Sequence, residues 1–146
     1  MNMDAHDMVR RLQAAEGSER ERVLDELYAE RVEFRHVPPD EHDGSISRRS
    51  LVGGATWERE LFQREIRGYA TTHQYEVAGD GIVETYRMEG TLPDGEPLDS
   101  TMTITYTVSD GAITVMRATF DAAATAALRE VIEGAGGFPG PPRATA

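Results

Sequence analysis

Two histidines and a glutamate fall on strand-like stretches whose other positions on the same face are apolar or aromatic. His36 alternates with Val32 and Phe34, His73 with Tyr69, Tyr75 and Val77, and Glu84 with Ile82, Tyr86 and Met88. Imidazole changes its protonation near neutral pH, and a phenol can donate to an oxyanion as it develops, so His and Tyr together can run proton transfer without a cofactor. A glutamate on an apolar face has its pKa raised by desolvation, or else it orients a histidine through a hydrogen bond. His36, His73, Glu84 and Tyr86 are therefore the candidate catalytic groups. The plainer alternative is that Tyr75, Tyr86 and Glu84 satisfy one another at the mouth of a pocket.

These groups need elements that bring them together. Met8, Val9, Leu12 and Ala15 recur at helical spacing, and Ser18 caps a second helix with Val23, Leu24, Leu27 and Tyr28 on its apolar face. A strand ending at Pro38-Pro39 follows. Residues 38–53 are polar and long for a connector, which predicts a loop or lid. A third helix is expected over 54–67, with Trp57, Leu61, Phe62 and Ile66 at or near its inner stripe.

From Tyr69 the period becomes two. A turn within residues 79–81 leaves His73, Tyr75, Glu84 and Tyr86 on one side of the sheet, because a register slip of two residues does not change faces. A loop over 93–97 pairs Met88 with Met102 and Tyr86 with Ile104. In residues 101–108, Met102, Ile104, Tyr106 and Val108 share one face and four threonines the other. A tight turn at Asp110-Gly111 would face Ile113, Val115 and Arg117 inward in the last strand, whereas a bulge at Gly111 would face Met116, Ala118 and Phe120 inward. Asp121 caps a final helix through Ile132. One domain over 1–133 is expected, with 134–146 a Gly-, Ala- and Pro-rich flexible tail.

At 146 residues the chain can bury a core without disulfide or metal staples, and it has no cysteine. Fifteen basic against twenty-six acidic residues give a net charge of -11, which repels phosphate backbones and anionic lipid, so neither nucleic acid nor membrane is expected as a partner. No apolar run reaches the roughly 20 residues of a membrane span, and the N-terminal residues lack a signal-peptide pattern, so a cytoplasmic protein is expected. His36, Asp40, Glu41, His42 and Asp43 have no rigid ligand spacing, and a solvated acidic loop is expected there rather than a metal site.

Helix, helix, strand, helix and four antiparallel strands resemble the nuclear transport factor two-like superfamily, which includes ketosteroid isomerases and SnoaL-like polyketide cyclases. The resemblance covers about residues 5 to 132 and is most specific in the run from Asp110 to Phe120. It implies an α+β cone in which N-terminal helices pack on a curved antiparallel sheet around a pocket. It places Met116, Ala118 and Phe120 on the pocket wall, which favours the bulged turn. Trp57, Phe34, Tyr75, Met88, Met102, Ile104 and Tyr106 complete the expected substrate-binding wall.

The resemblance also implies a homodimer through the threonine face and a largely apolar, polyketide- or terpenoid-like substrate turned over without cofactor or metal by cyclisation, isomerisation or dehydration. Where the steroid isomerases use a tyrosine on the first helix this chain has Met8. Their aspartate at the end of the first strand falls at His36 or a neighbour, and their acid on the third long strand at Ile104 or Thr103. Asp121 lies near the acid that serves SnoaL-like cyclases as base, so the resemblance makes it a further candidate base. The alternative is a non-catalytic binding or dimeric assembly module of the same fold.

Overall fold

A computed structural model describes residues 3–41, 43–119 and 121–137. Helices α1 (Ala5–Gln13) and α2 (Ser18–Leu27) lead into strand β1 (Tyr28–Val37), followed by β2 (Gly44–Ser47) and α3 (Arg48–Glu65). Four long strands come next, β3 (Arg67–Ala78), β4 (Gly81–Thr91), β5 (Pro97–Ser109) and β6 (Ala112–Thr119), and α4 (Ala122–Gly134) closes the order. They form one open six-stranded sheet, β2-β1-β6-β5-β4-β3, with the helices packed on it. The expected α+β cone is present. Its sheet is mixed, because β1 runs parallel to β6 while the other neighbours are antiparallel.

The helical faces follow from spacing. Met8, Val9 and Leu12 bury one side of α1, and Val23, Leu24 and Leu27 bury one side of α2. The third helix begins at Arg48 rather than at 54, because Ser47 caps it by accepting the Ser50 amide at 3.1 Å. Gly53 and Gly54 then lie inside the helix, where the burial of Leu51 outweighs their low propensity. Part of the predicted loop over 38–53 is strand β2, which pairs Ile46 with Val32 and is anchored by Ile46, 1 % exposed.

The Gly79-Asp80 turn pairs Ala78 with Gly81 and sets His73 opposite Tyr86 and Tyr75 opposite Glu84, on one face as expected. The next turn is centred on Asp94, whose side chain accepts the Glu96 amide, so Tyr86 pairs with Met102 and Met88 with Ser100. That is two residues away from the predicted register and leaves every side chain on its predicted face. At the last hairpin Asp110 and Gly111 both take positive φ, 52° and 78°, giving the tight turn. The bulge comes later. Thr107 pairs with Val115 and Val108 with Ile113, so Thr114 is the extra residue. Ile113 is thus buried before the bulge and Ala118 after it, and each of the two predicted parities holds for part of the strand.

The interior divides into two apolar clusters. The larger joins α1 and α2 to β1, β2 and one end of the sheet, through residues such as Leu12, Leu27, Val32 and Tyr106. The smaller joins α3 and α4 to the other end through Leu61, Phe62, Met88, Leu98 and Val131.

Candidate active site

A cavity of about 880 Å³ is lined by residues of both clusters, among them Leu12, Leu24, Phe34, Phe62 and Met88. Its size suits a multi-ring or long-chain small molecule. Cross-strand register orders its sheet wall into rows. One row runs His36, Ala118, Ile104, Glu84, Tyr75; the next holds Met102, Tyr86, His73; a third holds Ser100, Met88, Thr71.

Glu84 is the hub of the first row. Its side chain is wholly buried. Arg20 Nη2 donates to both carboxylate oxygens at 2.9 Å, and Arg20 Nε donates to the Tyr75 hydroxyl at 3.0 Å. The Tyr106 hydroxyl donates to Oε1 at 2.5 Å, and His73 Nδ1 donates to Oε2. Burial pushes the carboxyl pKa up, but the Arg20 charge, His73 and the Tyr106 hydroxyl more than offset it, leaving Glu84 at about 2. Of the two outcomes expected for a glutamate here, histidine orientation therefore prevails over a raised pKa. Because Glu84 is ionised, Nδ1 of His73 carries a proton, and Nε2 is the ring atom left for chemistry. Desolvation opposes the charge of Arg20, yet Glu84 and the nearby tyrosines hold its pKa well above the ordinary value.

The second imidazole lies across the sheet on β1. His36 Nδ1 meets Asp43 Oδ1 at 2.5 Å, and the same oxygen accepts the His36 backbone amide at 3.0 Å. The carboxylate is thus an acceptor for both. His36 is 9 % exposed, lines the cavity and packs on Phe34 with ring centroids 4.4 Å apart. The predicted solvated acidic loop is in fact tied down at two points, by Asp43 on His36 and by the Arg129–Asp40 ion pair to α4.

Tyr69 and Tyr86 share a hydroxyl–hydroxyl hydrogen bond of 3.0 Å on the cavity wall. Burial raises both pKa values, which keeps both phenols protonated donors. Tyr86 also sits against His73, centroids 4.4 Å apart.

Of the predicted residues, His36, His73, Tyr86, Phe34, Tyr75, Met88, Met102, Ile104, Met116 and Ala118 line the cavity. Glu84 stands behind His73, outside the lining residues, and Tyr106 stands with it as a hydrogen-bond donor rather than as wall. Trp57 packs against the smaller cluster and is not among the lining residues. Asp121 is exposed, caps α4 by accepting the Ala124 amide at 3.2 Å, and is not among the lining residues. Phe120, His42 and residues 138–146, most of the predicted tail, lie outside the described residues.

Arg20, Asp43 and Ser100 were not anticipated. Arg20 had a signal, since it precedes Val23, Leu24 and Leu27 by three, four and seven residues and so falls on the apolar stripe of α2.

An open mixed sheet wrapped by helices around a cavity is the architecture of NTF2-like α+β cones. The chain belongs to the SnoaL-like domain family, whose sequence model matches residues 9–116. No curated protein matches it. Among solved structures it is similar to an NTF2-like protein from Burkholderia thailandensis E264, with 18% identity over 87% of this chain and 98% of that one and a TM-score of 0.64. It is also similar to a SnoaL-like polyketide cyclase candidate from Jannaschia sp. CCS1, with 19% identity over 87% and 92% and a TM-score of 0.58. A third is a protein with a ketosteroid isomerase-like fold from Catenulispora acidiphila DSM 44928, in complex with trimethylamine, at 13% identity over 94% and 96% and a TM-score of 0.51. At these identities the likeness is one of fold. Among the described residues no helix is long and apolar enough to cross a membrane.

Proposed function

We propose that the chain is a cofactor-independent acid/base enzyme that enolises an extended, largely apolar carbonyl compound and so cyclises, isomerises or dehydrates it. The observation that carries this reading is the pair of imidazoles on the cavity wall, each with Nδ1 held by a carboxylate. In this scheme His36 takes a proton from the carbon beside the carbonyl. The C–H electron pair becomes the enolate double bond, and negative charge collects on the carbonyl oxygen. His73, protonated at both nitrogens, donates from Nε2 to that oxygen, and Tyr86 supplies a second donor while Tyr69 occupies its other hydrogen-bonding position. Glu84 fixes the orientation of the His73 ring through Nδ1, and the Arg20 charge holds Glu84 ionised. His36 then returns the proton to carbon, or the enolate carbon attacks an electrophile within the same molecule.

The test is solvent deuterium incorporation into 2-tetralone and fused-ring ketones, followed by NMR. Wild-type protein is expected to accelerate exchange, and His36→Ala and His73→Ala are each expected to lose about 100-fold of that acceleration. Ketones that bind without accelerated exchange would instead mark a non-catalytic binding module. Equal rates for both variants and the wild type would remove the histidines from the mechanism.

A further inference from the structure

Ser100 stands apart from every network described above. It is 6 % exposed, it lines the cavity, and its hydroxyl is the buried side-chain polar atom that has no hydrogen-bond partner among the described residues. Serine hydroxyls shut away from water normally find a partner, because an unmet one gives up its hydration for nothing. Ser100 pairs with Met88 across the ladder, and Met88 belongs to the smaller apolar cluster with Phe62, Leu128 and Ile132.

Register fixes where this hydroxyl lies relative to the chemistry. His73, Tyr86 and Met102 form one row across three strands, and Ser100 is one row further along on β5. Two strand spacings across and two residues along put the Ser100 and His73 backbones roughly 12 Å apart. A ligand that touches both is therefore elongated.

We infer that Ser100 is a specificity-determining contact, hydrogen-bonding an oxygen at the end of the substrate remote from His73, so that the substrate is an elongated apolar molecule with oxygen functions at both ends. This rests on the reading of the cavity as a substrate pocket. A site built to hydrogen-bond one substrate oxygen discriminates strongly against an analogue lacking it, and an otherwise apolar surrounding sharpens that discrimination.

Matched rigid probes separate the possibilities: biphenyl-4,4′-diol, with an oxygen at each end, and 4-hydroxybiphenyl, with one. Calorimetric titration of wild-type protein is expected to show the diol bound at least tenfold more tightly. In Ser100→Ala that advantage disappears, and the free variant melts no lower than wild type, since a hydroxyl with no partner supports nothing in the empty protein. A diol advantage that survives in Ser100→Ala, or equal binding of both probes to wild type, overturns the inference and leaves the pocket reading standing. Failure of both probes to bind wild type overturns the pocket reading and the inference with it.

Discussion

A carboxylate that accepts from an arginine, a histidine and a tyrosine while wholly out of water has no spare capacity, and replacing it strands all three donors. Glu84→Gln leaves the Arg20 charge buried without its counter-ion, so urea unfolding is expected to show a loss of about 3–5 kcal/mol. Arg20→Met combined with Glu84→Gln recovers part of it, because no lone charge remains. The pH dependence has a definite sign. The carboxyl titrates at about 2 in the folded chain against an ordinary value of 4.5, so between those values the unfolded chain binds more protons. Glu84 thus contributes its full share above about pH 4.5 and loses it as pH falls toward 2, of order 3 kcal/mol in all. Urea midpoints followed down this range should fall more steeply for wild type than for the double variant.

At this scale the sequence was informative where alternation governs, and His36, His73, Glu84 and Tyr86 took the faces expected of them. It was less so where partners come from elsewhere in the chain. Asp43 reads as one more acid in a polar loop until β2 folds that loop back onto β1. Arg20 falls on the apolar stripe of α2, but its partner Glu84, 64 residues away, shows only once the sheet stands opposite the helix.

Among the elements, parity was easier to read than register. The turn at Asp94 moved the β4–β5 pairing by two residues without moving a side chain across the sheet. Strand β2 has Ile46 as its only apolar residue, too little pattern for a strand to be seen, and α3 starts at a serine cap that precedes a glycine pair resembling a break. Two glycines allow a contrasting test. A Cβ on Gly81 would stand 2.3 Å from the Tyr106 carbonyl oxygen, where both backbones are fixed by the ladder, so Gly81→Ala should cost about 2 kcal/mol or more. Gly53 lies inside α3 with nothing within 4 Å of its missing Cβ, so Gly53→Ala should gain about 0.5–1 kcal/mol. Both follow from denaturant midpoints. A neutral Gly81→Ala would mean that the β4–β5 approach is looser than described.

For the molecule as a whole, the divided core matters most. Two apolar clusters with a cavity between them hold less packing than one continuous core of the same residues, and a ligand that fills the gap adds what is missing. At a hundredfold excess over its Kd, a bound diol should raise the unfolding free energy by about 2.7 kcal/mol, visible as a higher melting temperature in the same titration series. No rise would mean that the compound binds the unfolded chain equally well or sits outside the cavity.

The division also bears on how such a chain can change over generations. Met88, Met102 and Met116 face the void, and methionine is a flexible filler that other apolar residues can replace at modest cost. Substitutions there reshape the chamber while the Glu84 hub and the strand ladders hold the frame. The hub behaves oppositely, since Arg20 and Glu84 can depart only together. A lineage built this way can drift from one small molecule to another through its methionines and carry its charged anchor forward intact.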